Sequence, residues 1–238
     1  MRIHQAILGT ADDLIRGLGL RGNPYQARKY FVLSLHRAGT RSTSELLAGL
    51  GIHIVHWPIR LNGWKPLQPK IAGRETDLDF VTDVLKPVIN KSDGMSDVPV
   101  PVLYRPLAER YPNARFILMR RNAADWIRSV RKMIDKRPFD PYERVQYWHY
   151  FPARPERIED LSDAELAGMC ERHYAEVEAY FSQYEKTKFA QFNLEDKAAG
   201  AAVAAFVGTH VNAKMPHVTD RPKRKRWYRR NPEKNRID

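Results

Sequence analysis

The sequence predicts an α/β fold in which helices cover a central parallel sheet. Tyr30 to Trp57 has the pattern of a strand, a helix and a strand joined by short connections, and Pro106 to Ile134 has that of a helix, a strand and a helix. Such units imply parallel strands, since each crossover packs its helix on the sheet. The chain has 238 residues, 43% of them hydrophobic, which is enough for one sizeable domain with a buried core.

The first unit is defined by a change of hydrophobic period. The continuous apolar run Tyr30–Leu35 has the length of a strand, and residues 40–50 carry leucines on one helical face before Gly51 ends the helix. A short β-rich segment, Ile52–Trp57, follows. Before this unit, Ile7–Leu18 has the apolar stripe of a helix.

The second unit has clearer boundaries. A helix ends at Pro106–Tyr111, RFILM at Arg115–Met119 predicts a buried strand, and Asn122 is a predicted N-cap with Asp125 three residues later. The remaining predicted elements are a long amphipathic helix at Ser162–Tyr184, a strand at Phe189–Leu194 and a helix at Ala198–Val207.

Two stretches, Pro58–Pro87 and Arg137–Pro155, show no regular period and predict long loops. Long irregular segments in a compact domain are often lids or binding loops. The second stretch is rich in aromatic residues, which either line an acceptor pocket together with Trp64 or cover the core. These aromatic residues are Phe139, Tyr142, Tyr147, Trp148, Tyr150 and Phe151.

The positive charge is concentrated at one end of the chain. The formal net charge is +12, of which the nine Lys and Arg residues of segment 221–238, less Glu233 and Asp238, contribute +7, so the remainder carries +5. A basic tail with Trp227 and Tyr228 is compatible with nucleic-acid binding, but a mildly basic body does not favour it. We expect one domain over residues 1–220 and a basic tail over 221–238.

Cysteine content and hydropathy point to a soluble cytoplasmic protein. Cys170 is the single cysteine, which excludes an internal disulfide and is best interpreted as a half-buried helix residue. No apolar run reaches the roughly 18 residues of a membrane span, and the first residues become polar too early for a secretion signal.

The connection after the first predicted strand has the character of an anion site. Segment 34–42, SLHRAGTRS, leads into a helix, whose first N–H groups and dipole attract anions. An ATP-binding loop would read GxxxxGK[ST], but Ser34 stands at the first glycine and Thr40 at the lysine. ATP or GTP hydrolysis is therefore disfavoured, and a small-molecule kinase is the weaker alternative.

Several motifs together resemble the sulfotransferase family. The loop Arg37-Ala38-Gly39-Thr40-Arg41-Ser42 is similar to its 5′-phosphosulfate-binding loop, and Arg121 with Ser129 resembles its 3′-phosphate motif. A branch of the family also has an Asp-x-Pro loop, as at Asp97-Val98-Pro99, a tyrosine like Tyr104, and a histidine like His56. Segments 206–208 and 215–218 resemble its closing helix and loop.

This resemblance implies a three-layer sandwich of the P-loop nucleotide hydrolase-like type, with a central parallel sheet flanked by helices. It also implies 3′-phosphoadenosine 5′-phosphosulfate as the donor, transfer to a hydroxyl or amine, and no metal. Arg37, Thr40 and the loop amides would stabilise the leaving phosphate, with Arg41 and Ser42 in support. Arg121 and Ser129 would hold the 3′-phosphate.

The same resemblance leaves several roles open. The tail from Arg221 through Lys223 to Arg230 either folds over the donor or is a solvated tail. His56 is the first candidate for the general base, because a neutral imidazole is poised near pH 7, and Asp97 is the second. His36 either contacts the phosphosulfate or faces solvent.

Three departures from the family pattern concern charge. Arg37 replaces the usual lysine, Asn122 replaces an acid, and Arg120 adds a cation. A forked guanidinium holds phosphate more directionally than lysine does, so assistance to the leaving group would differ in detail. The acceptor, a small molecule or a glycan, is not identified by any motif, and the oligomeric state is equally undetermined.

Overall fold

The computed structural model describes residues 28–57, 60–61, 65–185, 188–209 and 213–216. Within them a five-stranded parallel sheet forms the centre, and a two-stranded antiparallel hairpin lies apart from it. The sheet strands are β1 (Tyr30–Val32), β2 (Ile54–His56), β5 (Gly94–Ser96), β6 (Arg115–Arg120) and β7 (Phe189–Asn193); the hairpin strands are β3 (Arg60–Leu61) and β4 (Lys65–Pro66).

The strand order of the sheet is β2-β5-β1-β6-β7, with every neighbouring pair parallel. The central strand β1 aligns Tyr30 with Gly94 on one side and with Arg115 on the other. All five carboxyl ends therefore lie at one edge of the sheet.

Helices cover both faces of the sheet. The described helices are α1 (Thr40–Gly49), α2 (Gln68–Ile71), α3 (Leu78–Lys91), α4 (Tyr104–Arg110), α5 (Ala123–Ile134), α6 (Pro141–Tyr150), α7 (Asp163–Phe181) and α8 (Ala199–Val207), with 3₁₀ turns at Val100–Leu103 and Ile158–Asp160.

The alternation of side chains along β1 separates two cores. Phe31 points to the larger core, which α3 to α7 cover, whereas Tyr30 and Val32 point to a smaller one formed with α1 and α8. Successive strand residues face opposite sides, so a short central strand serves both layers. The predicted three-layer sandwich with a central parallel sheet is confirmed.

Most predicted elements are confirmed with shorter or shifted ends. Strand β1 stops at Val32 rather than Leu35, and α7 ends at Phe181 rather than Tyr184. Ser162 is the N-cap of α7, and its capping box with Glu165 is complete. The predicted helix Ile7–Leu18 and the basic tail lie outside the described residues.

The two stretches predicted to be loops contain helices. α3 runs through Pro87, because its apolar face and the Asp77 N-cap, which accepts from the Phe80 amide at 3.0 Å, outweigh the missing N–H. α6 begins at Pro141, where proline suits the first helical position, and Asp140 with Glu143 forms a capping box.

Cys170 lies fully buried in α7, deeper than the sequence predicts. Burial raises the pKa of its thiol to about 11, so it is protonated at neutral pH. Its role is that of a small apolar core residue. No helix in the described part of the chain combines the length and apolar composition that crossing a membrane requires.

Candidate functional site

The site lies at the carboxyl edge of the sheet, in the crevice between β1 and β6. After β1 the chain enters α1 on one face, and after β6 it enters α5 on the other, as the two separate cores show. Parallel sheets bind ligands where neighbouring strands lead to opposite faces. The topology therefore opens a crevice beside the loop predicted to bind an anion.

Residues 33–39 connect β1 to α1 through a tight turn. Arg37 and Gly39 have φ angles of 67° and 84°, in the left-handed region. The Ala38 amide donates to the Leu35 carbonyl at 2.9 Å, and the Ser34 hydroxyl accepts from the Met119 amide at 2.7 Å. The turn is thereby fixed to β6, and α1 begins with its first amides at the turn.

The left-handed φ of Gly39 disfavours any residue with a Cβ atom, and the side chain of Leu194 lies close to its Cα. A Cβ atom there would lie 2.7 Å from Cδ1 of Leu194, which follows β7. The Gly39 carbonyl accepts from the Thr43 amide at 2.9 Å and the Thr43 hydroxyl at 3.0 Å. The loop thus packs closely against the neighbouring strand connection.

Arg37, Arg121 and Ser129 form one hydrogen-bonded group. Arg121 Nη1 donates to the Arg37 carbonyl at 2.7 Å, and Arg37 Nε donates to the Ser129 hydroxyl at 3.1 Å. Two guanidinium groups and a hydroxyl, from segments more than 80 residues apart, therefore share one side of the crevice. Together they form a cationic surface suited to phosphate groups.

Helix α5 and the segment before it are fixed by hydrogen bonds to the loop and to α7. The Trp126 indole N–H donates to the His36 carbonyl at 2.8 Å, and the Arg121 amide donates to the Tyr174 hydroxyl at 3.1 Å. Asn122 caps the helix by accepting from the amides of Ala124 and Asp125 at 3.0 and 3.3 Å, which confirms the predicted cap. The Asp125 carboxylate pairs with Arg128 instead of closing a capping box.

The other residues predicted to bind the donor differ in their burial and partners. Thr40 is buried at the start of α1, whereas Arg41 is ion-paired with Glu45 at 3.2 Å on the same helix. Ser42 is half-buried in the first turn of α1. Arg221 and Lys223 lie outside the described residues.

A second hydrogen-bonded group lies at the ends of β2 and β5. His56 and Ser96 are paired residues of these strands, and His56 Nδ1 lies 3.1 Å from Ser96 Oγ. His56 Nε2 lies 3.2 Å from Asp97 Oδ2. Ser96 Oγ also lies 2.7 Å from Ser44 Oγ of α1, so the two predicted candidates for the base are joined to the loop helix.

Burial dominates the protonation of His56. Desolvation lowers the pKa of His56 below its ordinary value of 6.5, and the neighbouring Asp97 carboxylate opposes that shift without reversing it. The imidazole is therefore neutral at pH 7. Ser44 and Ser96, which sequence reasoning missed, are both buried. No period marks the three-residue strand β5, which carries Ser96.

His36 does neither of the two things predicted for it. Its side chain is buried, and Nε2 lies 2.8 Å from the Tyr147 hydroxyl in α6. Burial lowers the pKa of His36 and raises that of Tyr147, so both groups are neutral at pH 7. His36 therefore faces neither phosphosulfate nor solvent, because the turn directs it into the core.

The aromatic residues around α6 belong mainly to the core, which corrects the pocket interpretation. Phe139, Tyr142, Tyr147 and Tyr150 are buried, and the rings of Phe139 and Tyr147 stack with centroids 4.1 Å apart. Trp148 and Phe151 are partly buried against the same core. Trp64 lies outside the described residues.

A cavity of about 830 Å³ lies at the opposite, amino-terminal edge of the sheet. Tyr30, Asp93 and Arg115, at the beginnings of their strands, line part of it. It is separate from the crevice that holds Arg37 and Arg121. Among the described residues, no three His, Cys, Asp or Glu side chains are grouped to bind a metal ion.

Comparison with known proteins gives a family match over most of the chain. A family model described as a sulfotransferase domain matches residues 29–224. A search of curated proteins found no match.

Solved structures show weaker similarity. A sulfotransferase from Alicyclobacillus acidocaldarius has 14% identity and a TM-score of 0.47, covering 82% of this chain and 85% of its own. A shikimate kinase from Bacteroides thetaiotaomicron has 12% identity and a TM-score of 0.47, covering 76% of this chain and 98% of its own.

Proposed function

Because this chain belongs to the sulfotransferase domain family, we propose that it transfers the sulfuryl group of 3′-phosphoadenosine 5′-phosphosulfate to a hydroxyl or amine of a small-molecule or glycan acceptor. The observation that carries the choice of donor is the group formed by Arg37, Arg121 and Ser129. A donor with phosphates at both ends needs two cationic positions in one crevice. Arg37 and Arg121 supply them.

The loop binds one end of the donor, and Arg121 and Ser129 bind the other. The amides at the start of α1, with Arg37 and Thr40, hold the 5′-phosphosulfate, where a helix N-terminus favours negative charge. Arg121 and Ser129 hold the 3′-phosphate and so fix the register of the donor. Arg41 and Ser42 support the 5′ end from the first turn of α1.

Transfer then requires alignment and charge stabilisation. The acceptor oxygen attacks sulfur while the bond between sulfur and the phosphate oxygen breaks, and adenosine 3′,5′-bisphosphate leaves. By analogy with phosphoryl transfer, the protein contributes positioning and cationic groups where negative charge grows. The acceptor proton passes to the His56–Asp97 pair, which lies at the same edge of the sheet.

Arg121→Ala tests the donor site. Removal of a charge-assisted phosphate contact costs about 1.5–3 kcal/mol, or roughly 10- to 100-fold in affinity. We therefore expect adenosine 3′,5′-bisphosphate to stabilise the wild-type protein in a thermal shift assay and Arg121→Ala hardly at all. Calorimetric titration then gives the affinities.

Arg128→Ala is the matched control, since it removes an exposed arginine of α5 that pairs with Asp125. Its affinity should match that of the wild type. Equal binding by Arg121→Ala and wild type would refute the placement of the 3′-phosphate. Stabilisation by ATP with magnesium alone would favour a kinase, and by a short oligonucleotide alone a nucleic-acid binder.

A further inference from the structure

The two nitrogens of His56 both have protein partners. Nδ1 lies 3.1 Å from Ser96 Oγ, and Nε2 lies 3.2 Å from Asp97 Oδ2. A general base must present a free lone pair to the proton that it takes. In this arrangement neither nitrogen of His56 has a free lone pair that could take the proton of the acceptor substrate.

The hydroxyl groups behind His56 restrict where its proton sits. Ser44 Oγ lies 2.8 Å from the Thr40 carbonyl and 2.7 Å from Ser96 Oγ, and each hydroxyl has one proton to donate. If Ser44 donates to Thr40, Ser96 must donate to Ser44, and Nδ1 must donate to Ser96. Nε2 of a neutral ring would then have no proton to donate to the Asp97 carboxylate.

The other arrangement gives both ring nitrogens and Asp97 a partner, and leaves only the 2.8 Å contact between Ser44 Oγ and the Thr40 carbonyl without a proton. Ser44 donates to Ser96, Ser96 donates to Nδ1, and the Nε2–H donates to Asp97. The Thr40 carbonyl lies in the first turn of α1 and keeps the backbone partner that the helix gives it. A neutral His56 beside an ionised Asp97 therefore requires the Nε2–H tautomer.

The charged groups around His56 agree with a neutral ring. Burial is the largest influence and lowers its pKa; Asp97 and Glu45 raise it, and Arg41 and Arg37 lower it. The buried hydroxyls of Ser44 and Ser96 carry no charge. The imidazole is thus an uncharged donor at neutral pH.

Asp97 has the acceptor capacity that His56 lacks. Its Oδ1 accepts from the Val98 amide at 2.9 Å and its Oδ2 receives Nε2 of His56, whereas an ionised carboxylate has about four lone pairs in all. Its side chain is 16% exposed, and its backbone has a left-handed φ of 71°. The carboxylate is held in place and remains partly exposed.

We propose that Asp97 takes the acceptor proton and that His56 is a positioning residue, held as the Nε2–H tautomer by Asp97 on one side and the buried pair Ser96 and Ser44 on the other. The inference rests on the proposed function. As the acceptor oxygen bonds to sulfur, its proton moves to a carboxylate oxygen of Asp97, and the bisphosphate leaves with the electron pair of the broken bond. Ser44 of α1 is joined to Asp97 through Ser96 and His56, so the base and the donor loop are connected to the same helix.

Nuclear magnetic resonance of the wild-type protein with isotopically labelled histidine tests the tautomer without any acceptor. We expect the His56 signals at pH 7 to be those of a neutral ring protonated at Nε2. Ser96→Ala removes only the donor to Nδ1, so the Nδ1 signal should shift while Asp97 keeps the ring protonated at Nε2, and Ser96→Thr, which keeps the hydroxyl, should restore the wild-type signal. A neutral ring protonated at Nδ1 in the wild type would overturn the proposal.

Donor consumption with water as the acceptor tests the roles. General-base catalysis contributes about 10²- to 10⁴-fold, so Asp97→Asn should lower bisphosphate release at least 100-fold. His56→Gln, which keeps an N–H donor, should lower it less than Asp97→Asn does. A larger loss for His56→Gln than for Asp97→Asn would overturn the proposal.

Binding of adenosine 3′,5′-bisphosphate separates this inference from the proposed function. Each variant should bind it with the wild-type affinity, since none of the substitutions touches Arg37 or Arg121. A wild-type protein that fails to bind the bisphosphate, or binds it without consuming the donor, would count against the proposed transfer. The tautomer would still be decided by the spectra.

Discussion

Gly39 shows how little space surrounds the phosphate loop. Its φ of 84° suits glycine, and a Cβ would lie 2.7 Å from Leu194. We expect Gly39→Ala to lower the free energy of unfolding by about 1–3 kcal/mol, because alanine is strained at this φ and the Leu194 side chain must shift. Displacement of the loop should also weaken bisphosphate binding, as measured by calorimetry alongside urea unfolding.

Gly49→Ala provides the control for this change. Gly49 lies in the same helix α1, and a Cβ atom there would meet no neighbouring atom within 4 Å outside its own helix. Alanine there should leave binding unchanged and raise stability by about 0.5–1 kcal/mol. Equal effects of the two substitutions would contradict the role of Gly39 in the loop.

His173 connects stability to pH. It is fully buried in α7, between the Leu33 carbonyl and the Tyr150 hydroxyl, each 2.7 Å from a ring nitrogen. Burial lowers its pKa from 6.5 to about 4, so the unfolded chain binds more protons between these values. The contribution of His173 to the free energy of unfolding is complete above pH 6.5. It decreases by about 3 kcal/mol as the pH falls towards 4.

His173→Gln should therefore flatten the dependence of unfolding free energy on pH in that window. Glutamine keeps one donor for Leu33 and one acceptor for Tyr150 but does not titrate. Urea unfolding at several pH values measures the slope. The exposed His53→Gln is the control, and an unchanged slope in His173→Gln would contradict the assignment.

At the scale of the element, the sequence interpretation missed two helices that contain proline, α6 and α3. Pro141 starts α6, where its missing N–H has no consequence, and Asp140 and Glu143 supply the capping signal. Pro87 lies inside α3, which keeps its helix because Val81, Leu85 and Val88 bury one face. Helices α5 and α7 were predictable because clear periods and caps agree within them, and α1 was predictable because its leucines share one face.

Pro87→Ala should stabilise α3. Pro87 is exposed in the helix interior, where proline lacks an N–H and crowds the preceding turn. Alanine should raise the free energy of unfolding by about 1 kcal/mol, less than the full helix-propensity difference because proline also restricts the unfolded chain. Urea unfolding measures it, and a loss of stability would show that α3 is bent to fit.

For the whole molecule, the fold class was predictable and the strand order was not. Two crossover units imply a parallel sheet, but β5, which pairs with both β1 and β2, has only the sequence GMS. Three residues are too few to show a hydrophobic period. The position of β5 between β1 and β2 therefore follows only from tertiary packing.

The candidate site was predictable in its residues but not in its contacts. Arg37, Arg121 and Ser129 stand out by motif spacing, and they do meet in the crevice. The buried serines behind His56 carry no spacing signal, because strand pairing and the approach of α1 bring them together. The prediction for His36 was wrong, because its backbone lies in the turn while its side chain is buried in the core.

The loop carbonyls have a consequence for how quickly the donor site fills. The His36 carbonyl accepts from Trp126 of α5, and the Arg37 carbonyl accepts from Arg121, which lies just before α5. These peptide groups cannot rotate without breaking those bonds, so the binding turn is pre-organised before any nucleotide arrives. Capture then requires little ordering of the backbone, and the speed of association is set by diffusion and charge.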